Sequence, residues 1–387
     1  MRVIVLQTAL GFLLTGMASA GSTVGSFLVT NNDVSTGFGS TATFYSIGAN
    51  GAVSDKTVVS TNGIGIAGGF FAASRVAVVP QGSDVCVFAS NAASADIAGI
   101  SAGSHTLTGD FPASSTDTGS GNGVGLAANA NYLYATFSSS STIATFQIRT
   151  GCVLSFVSDV SAVGLNAGLV GGMAIHGNIM VVTYGDGSIE SFNISNGVPV
   201  SNDDAENSAG SVNDHLPNGV DITEDGHYAV FGDASTVTTL EVSDISSGKL
   251  TPTVSYDVGP SWNSGTVRLS PDEALIFVTN DSGGGITAVL FDKTTGKISP
   301  GCTSGPLKGF YSSWAYAGAA AMQLPTAAGG LLYVPEFGLN GFSSIGIVQF
   351  TFSGTACTLA EVSGSPIVDN SDPSALLSIG VYPVRPF

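Results

Sequence analysis

The sequence predicts an all-β chain folded as a seven-bladed β-propeller, closed by pairing of the C-terminal strand with the N-terminal blade. Three observations predict it. A glycine ending a third strand recurs at 51, 103, 151, 197, 248, 296 and 354, with gaps of 52, 48, 46, 51, 48 and 58 residues. A period of about 40–50 residues belongs to stacked or radially repeated units. An apolar second strand precedes each of these glycines. The strand inventory is also circularly displaced, because the first unit lacks an innermost strand and the last segment supplies one with nothing after it.

The clearest unit is TVRLSPDEALIFVTND, residues 266–281, followed by ITAVLFDKTTGKISP at 286–300. Thr266 to Ser270 reads as a strand, and Pro271, Asp272 and Glu273 turn the chain. Leu275 to Thr279 is the second strand, a loop centred on Gly283–Gly285 follows, and Ile286 to Phe291 is the third. Runs of Val, Ile, Leu, Phe and Thr punctuated by Pro, Asp and Gly carry that signature. The repeat glycine suits a hairpin turn because it reaches positive φ without steric cost.

Second strands are read at FLVTNN (27–32), VCVFASN (85–91), YLYATF (132–137), IMVVTY (179–184), YAVFGD (228–233), LIFVTN (275–280) and LLYVPEF (331–337). First strands precede six of them, at 76–82, 124–130, 173–178, 220–226, 267–273 and within 314–324. LLSIGVYP (376–383) is then the innermost strand missing from the first blade. A closed ring protects the sheet edges that an open Gly/Ser/Thr-rich array would expose.

Residues 1–20 read as a signal peptide, with Arg2, an apolar run from Val3 to Leu14 and a small-residue site at Ala18-Ser19-Ala20. The remainder, 21–387, is expected to be a single propeller domain, secreted and monomeric. No later segment reaches the roughly 18 uninterrupted apolar residues of a membrane-spanning helix. Only 10% of residues are charged, and 28 acidic against 10 basic side chains give a formal −18. That balance argues against nucleic acid or anionic membranes as partners. Four cysteines permit two disulfides. Cys302 and Cys357 fall on consecutive blades and are the expected pair, which leaves Cys86 with Cys152.

Ligands of propellers meet the face built from the loops between blades and the second-to-third-strand loops. His176 and His227 lie in first-to-second-strand turns and His105 beside a repeat glycine, so all three belong on the opposite face. His215 precedes a first strand and belongs on the binding face. Aligning VDITEDG with VRLSPDE puts Asp221 and Arg268 at one position on neighbouring innermost strands, where other blades have Ala77, Gly125 and Gly172. A carboxylate beside a guanidinium reads either as an interblade salt bridge or as an anion site with Arg268 as the stabiliser. The mouth loops add Tyr184, Asp186, Asp233, Trp262, Asn263, Asn280, Asp281, Trp314 and Glu336. The two tryptophans suit ring stacking. No cofactor is expected; loop carboxylates could hold a Ca²⁺, but the D-x-D-x-D-G loop is missing from the sequence. HExxH, P-loop and CxxC motifs are also missing, which leaves zinc-protease and nucleotide readings without support.

VRLSPDEALIFVTND…ITAVLFDKTTGKISP, with VDITEDGHYAVFGD as a second copy, resembles the seven-bladed propellers of the lactonase family, in particular its exported members. That family includes 6-phosphogluconolactonase and carboxymuconate-cyclising enzymes. The resemblance implies hydrolysis of a sugar or aromatic lactone at the channel mouth, with Arg268, His215 and Asp221 as the catalytic set. Trp262, Asn263, Asn280, Asp281, Trp314 and Glu336 would then line the ligand. Two positions depart from the family: Asp281 stands where relatives often have Arg, and Pro217-Asn218-Gly219 where they often have an Arg-His pair. A non-catalytic propeller binding glycan or protein at the cell surface is therefore the alternative.

Overall fold

The computed structural model describes residues 24–32, 39–65, 75–112, 124–137, 142–161, 170–184, 188–205, 217–234, 238–258, 266–280, 285–309, 320–323, 329–339, 342–369 and 378–383. These form seven antiparallel sheets. Blade 1 runs, from the axis outward, Ser378–Tyr382, Phe27–Asn31, Thr41–Ile47 and Val53–Ser60. Blades 2 to 7 follow in chain order, with innermost strands Val76–Gln81, Val124–Ala128, Val170–His176, Pro217–Ile222, Val267–Leu269 and Ala320–Gln323. Blade 7 carries one extra short strand, Ile367–Asp369, beside the start of Phe342–Ser353.

Closure follows the expected pairing. Phe27 stands opposite Tyr382 and Asn31 opposite Ser378, so the C-terminal strand completes the first blade. Each innermost strand touches the next around the whole circle, including Ala320–Gln323 against Ser378–Tyr382. The propeller is one closed ring.

The core is divided rather than central. Seven apolar clusters fill the structure, and each draws its side chains from two consecutive blades. Phe88 and Phe146 meet between blades 2 and 3, and Phe277 and Phe350 between blades 6 and 7, ring centroids 4.8 Å apart. No blade can bury its faces alone, so stability resides in the seams. Disulfides cross two of them. Cys86–Cys152 joins blades 2 and 3 with Cα atoms 5.2 Å apart, and Cys302–Cys357 joins blades 6 and 7 at 5.7 Å. Both are the pairs expected from the repeat.

Turn chemistry repeats as well. Thr223 and Ser270 donate their hydroxyls to Asp225 and Asp272 at 2.6 Å, and receive the N–H of Tyr228 and Leu275 at 3.0 Å. That arrangement closes the first-to-second-strand turn in blades 5 and 6. The next residue is left-handed in both, Gly226 at φ 67° and Glu273 at φ 59°. The repeat glycine is left-handed in six blades; in blade 2 the turn instead places His105 at φ 51°. Gly103 serves there by letting its N–H approach Asp84 at 3.0 Å.

The leader expected over residues 1–20 lies outside the described residues. Among the described residues, no helix is long and apolar enough to cross a membrane.

Candidate functional site

The axis is lined by innermost strands that come very close together. A Cβ on Gly172 would stand 2.9 Å from the Cα of Gly219, so blades 4 and 5 meet backbone to backbone. Against that background, charged residues on these strands stand out. Asp221 is buried on blade 5 and Arg268 is half-buried on blade 6. The Asp221 carboxylate spans the gap between the strands. Its Oδ1 accepts the N–H of Ile222 at 3.0 Å, and its Oδ2 accepts the N–H of Leu269 at 2.9 Å. Asp221 thus grips the main chain of blade 6 one residue past Arg268.

Glu336 lies on the second strand of blade 7, Gly329–Leu339, and is only 2% exposed. Its Oε2 accepts the Ser344 hydroxyl at 3.2 Å and the N–H of Gly309, which belongs to the chain leaving blade 6. Burial, reinforced by the charge of Glu361, pushes its carboxyl up to about 7 from an ordinary 4.5.

Of the other residues singled out, His215, Trp262, Asn263, Asp281 and Trp314 lie outside the described residues, as does Asp186. Asn280 ends the strand Leu275–Asn280 with its backbone opposite Gly285. Tyr184 is buried and donates its hydroxyl to Glu190 Oε2 at 2.8 Å. On the opposite face His227 Nε2 stands 3.2 Å from Asp244 Oδ2, with the ring stacked on Tyr228.

Two features escaped the sequence reading. Arg75, just before the innermost strand of blade 2, is completely buried. Its N–H donates to the Ser378 hydroxyl at 3.1 Å, and its carbonyl receives the N–H of Ser90 at 3.0 Å. This arginine therefore sits at the seam where the ring closes. Its only signal is position, directly ahead of VAVVP. The second feature is a buried acid seven residues before the repeat glycine in three blades: Asp96, Glu190 and Glu241. Aligning the third strands on that glycine would have found it. Asn91 donates to Asp96, and the neighbouring Asp110 is pushed up to about 7 by burial and by the Asp96 charge.

Among the described residues, no group of three or more His, Cys, Asp or Glu side chains could hold a metal ion.

The closed ring is similar in fold to several solved structures, some of them described as lactonases. The chain is similar to a protein of Bacteroides uniformis provisionally described as a 6-phosphogluconolactonase, at 13% identity and TM-score 0.65, over 92% of this chain and 99% of that one. It is similar to a protein of unknown function from Desulfotomaculum acetoxidans at 15% identity and TM-score 0.64, over 94% and 100% of the two chains. The periplasmic gluconolactonase of Pseudomonas aeruginosa matches at 14% identity and TM-score 0.55, over 71% and 80%. No family model and no curated protein sequence matches. At these identities the likeness is one of fold: this is a lactonase-like β-propeller in architecture.

Proposed function

We propose that the protein is an exported hydrolase acting on a sugar or aromatic lactone at the mouth of the axial channel. The observation that carries this reading is the juxtaposition of Asp221 and Arg268 on adjacent innermost strands of a fold shared with proteins described as lactonases. In this reading Arg268 receives the carboxylate or phosphate of the substrate and stabilises the oxyanion of ring opening. Asp221, with both oxygens held by backbone N–H groups, positions the strand that bears Arg268. His215 supplies the base for water, and Trp262 and Trp314 stack on the ring, with Asn263, Asn280 and Asp281 around it. Glu336, expected among them, is instead enclosed in the seam between blades 6 and 7 and does not line the ligand. Two disulfides suit an extracytoplasmic compartment. The protein works as a monomer without a cofactor; a Ca²⁺ held by mouth carboxylates would reveal itself as chelator-sensitive activity.

The alternative is a non-catalytic propeller that binds glycan or protein. It is favoured by the engagement of both Asp221 oxygens in main-chain contacts, which leaves that carboxylate a structural part. One experiment separates the two. Purified protein is offered gluconolactone, 6-phosphogluconolactone and a muconolactone, beside an Arg268→Ala variant. Turnover lost in the variant supports the hydrolase; no turnover by the wild type, with retained glycan binding, supports the alternative.

A further inference from the structure

We propose that the seam between blades 6 and 7 is a proton-operated latch, in which Glu336 is carried protonated and loss of that proton loosens the seam. The argument begins with packing. A Cβ on Gly309 or on Gly346 would collide with the Glu336 carboxyl group, so it is enclosed between these two backbones with no room for a hydration shell. One oxygen has the Ser344 hydroxyl and the Gly309 N–H; the other, Oε1, is buried without a hydrogen-bond partner. A carboxylate in such a place lacks the compensation a buried charge requires, and the neutral acid avoids that penalty.

The surrounding charges point the same way. From the outermost strand Ala356–Glu361 comes Glu361, whose side chain is 9% exposed and whose Oε1 is likewise buried without a hydrogen-bond partner. From the chain leaving blade 6 comes Lys308. Its N–H donates to Glu361 Oε2 at 3.0 Å, but its ammonium is 3.9 Å from that oxygen and 61% exposed. An exposed ammonium at that distance is a weak counter-ion. The third strand offers Ser344, and the added strand Ile367–Asp369 brings Asp369 opposite Ser343. Glu361 therefore faces the enclosure with one loosely held base.

The sign of the effect follows. Glu336 titrates in the folded ring at about 7, above its ordinary 4.5. Its contribution to stability is fully present below about 4.5 and is lost as the pH rises through about 7. The ring is thus tightened in mild acid and relaxed above neutrality, at a seam whose Gly309 amide is bonded directly to the titrating group.

The test is thermal unfolding of the full chain at pH 5 and pH 8, wild type against Glu336→Gln, which imitates the neutral acid. The two midpoints should coincide at pH 5, and the variant should be the more stable at pH 8. Asp110 titrates in the same range but is common to both proteins, so it cancels in the difference. Parallel midpoints, or a variant less stable at pH 8, would overturn the proposal. Should Glu336→Gln fail to fold, Glu361→Gln reads the latch from its other side. Removing that charge should shrink the wild-type fall between pH 5 and pH 8, and an unchanged fall would overturn it.

Discussion

The Asp221 carboxylate accepts the N–H of Leu269 at 2.9 Å, joining the innermost strand of blade 5 to that of blade 6 through main chain. Removing the carboxylate leaves the N–H groups of Ile222 and Leu269 without this acceptor in a buried place. Asp221→Ala should therefore lose about 1–3 kcal/mol for each donor left unsatisfied. Arg268→Ala, at a half-buried position, should cost less stability and more turnover. Urea denaturation of both variants, run beside the lactone assay, checks the division of labour. A fully active Arg268→Ala protein would remove Arg268 from the site.

Ring closure makes a sharper demand. Truncation after Pro373 removes the strand that pairs Phe27–Asn31 and takes Ile379 and Val381 out of the seam between blades 7 and 1. Two sheet edges and an apolar face would be exposed at once. The truncated chain should aggregate or unfold at a much lower temperature, as seen by light scattering and calorimetry. If it stays soluble and equally heat-resistant, the C-terminal strand does not lock the ring.

The disulfides should stabilise by restricting the unfolded chain. Cys86–Cys152 closes a loop with a sequence separation of 66 residues, for which loop-closure entropy gives about 4 kcal/mol. A Cys86→Ala/Cys152→Ala double variant should unfold at correspondingly lower urea, with Cys302–Cys357 still found by non-reducing peptide mapping. Free thiols at Cys86 and Cys152 in the wild type would contradict the pairing.

Glu273 is the non-glycine counterpart of Gly226, left-handed and buried in the first-to-second-strand turn of blade 6. Such a backbone costs about 1–2 kcal/mol, and its carboxylate offsets this by bonding the N–H of Glu224 in blade 5 and the Lys293 ammonium at 3.2 Å. Glu273→Ala retains the strain and forfeits both contacts, so a loss of about 1–3 kcal/mol is expected. Glu273→Gly should recover part of it by relieving the backbone. Equal stability of the two variants would show that the left-handed turn carries no strain.

The strands, their sevenfold grouping and the closure by residues 376–383 were determined by the sequence alone. Alternating apolar residues, an Asp-centred turn and a left-handed glycine are local requirements, and local requirements repeat legibly when the unit repeats. The disulfide pairs followed from the same register, since consecutive blades are neighbours in any closed ring. Position likewise placed Asp221 and Arg268 on adjacent strands. Only the tertiary structure decided what those side chains touch. That Asp221 holds the backbone of Leu269, that Arg75 is enclosed where the ring closes, and that Glu336 is sealed between Gly309 and Gly346 depend on distances between blades. Those distances are set by packing across seams between residues tens to hundreds of positions apart, from Glu336 and Gly309 to Arg75 and Ser378, and so they leave no mark in a repeat pattern read along the chain.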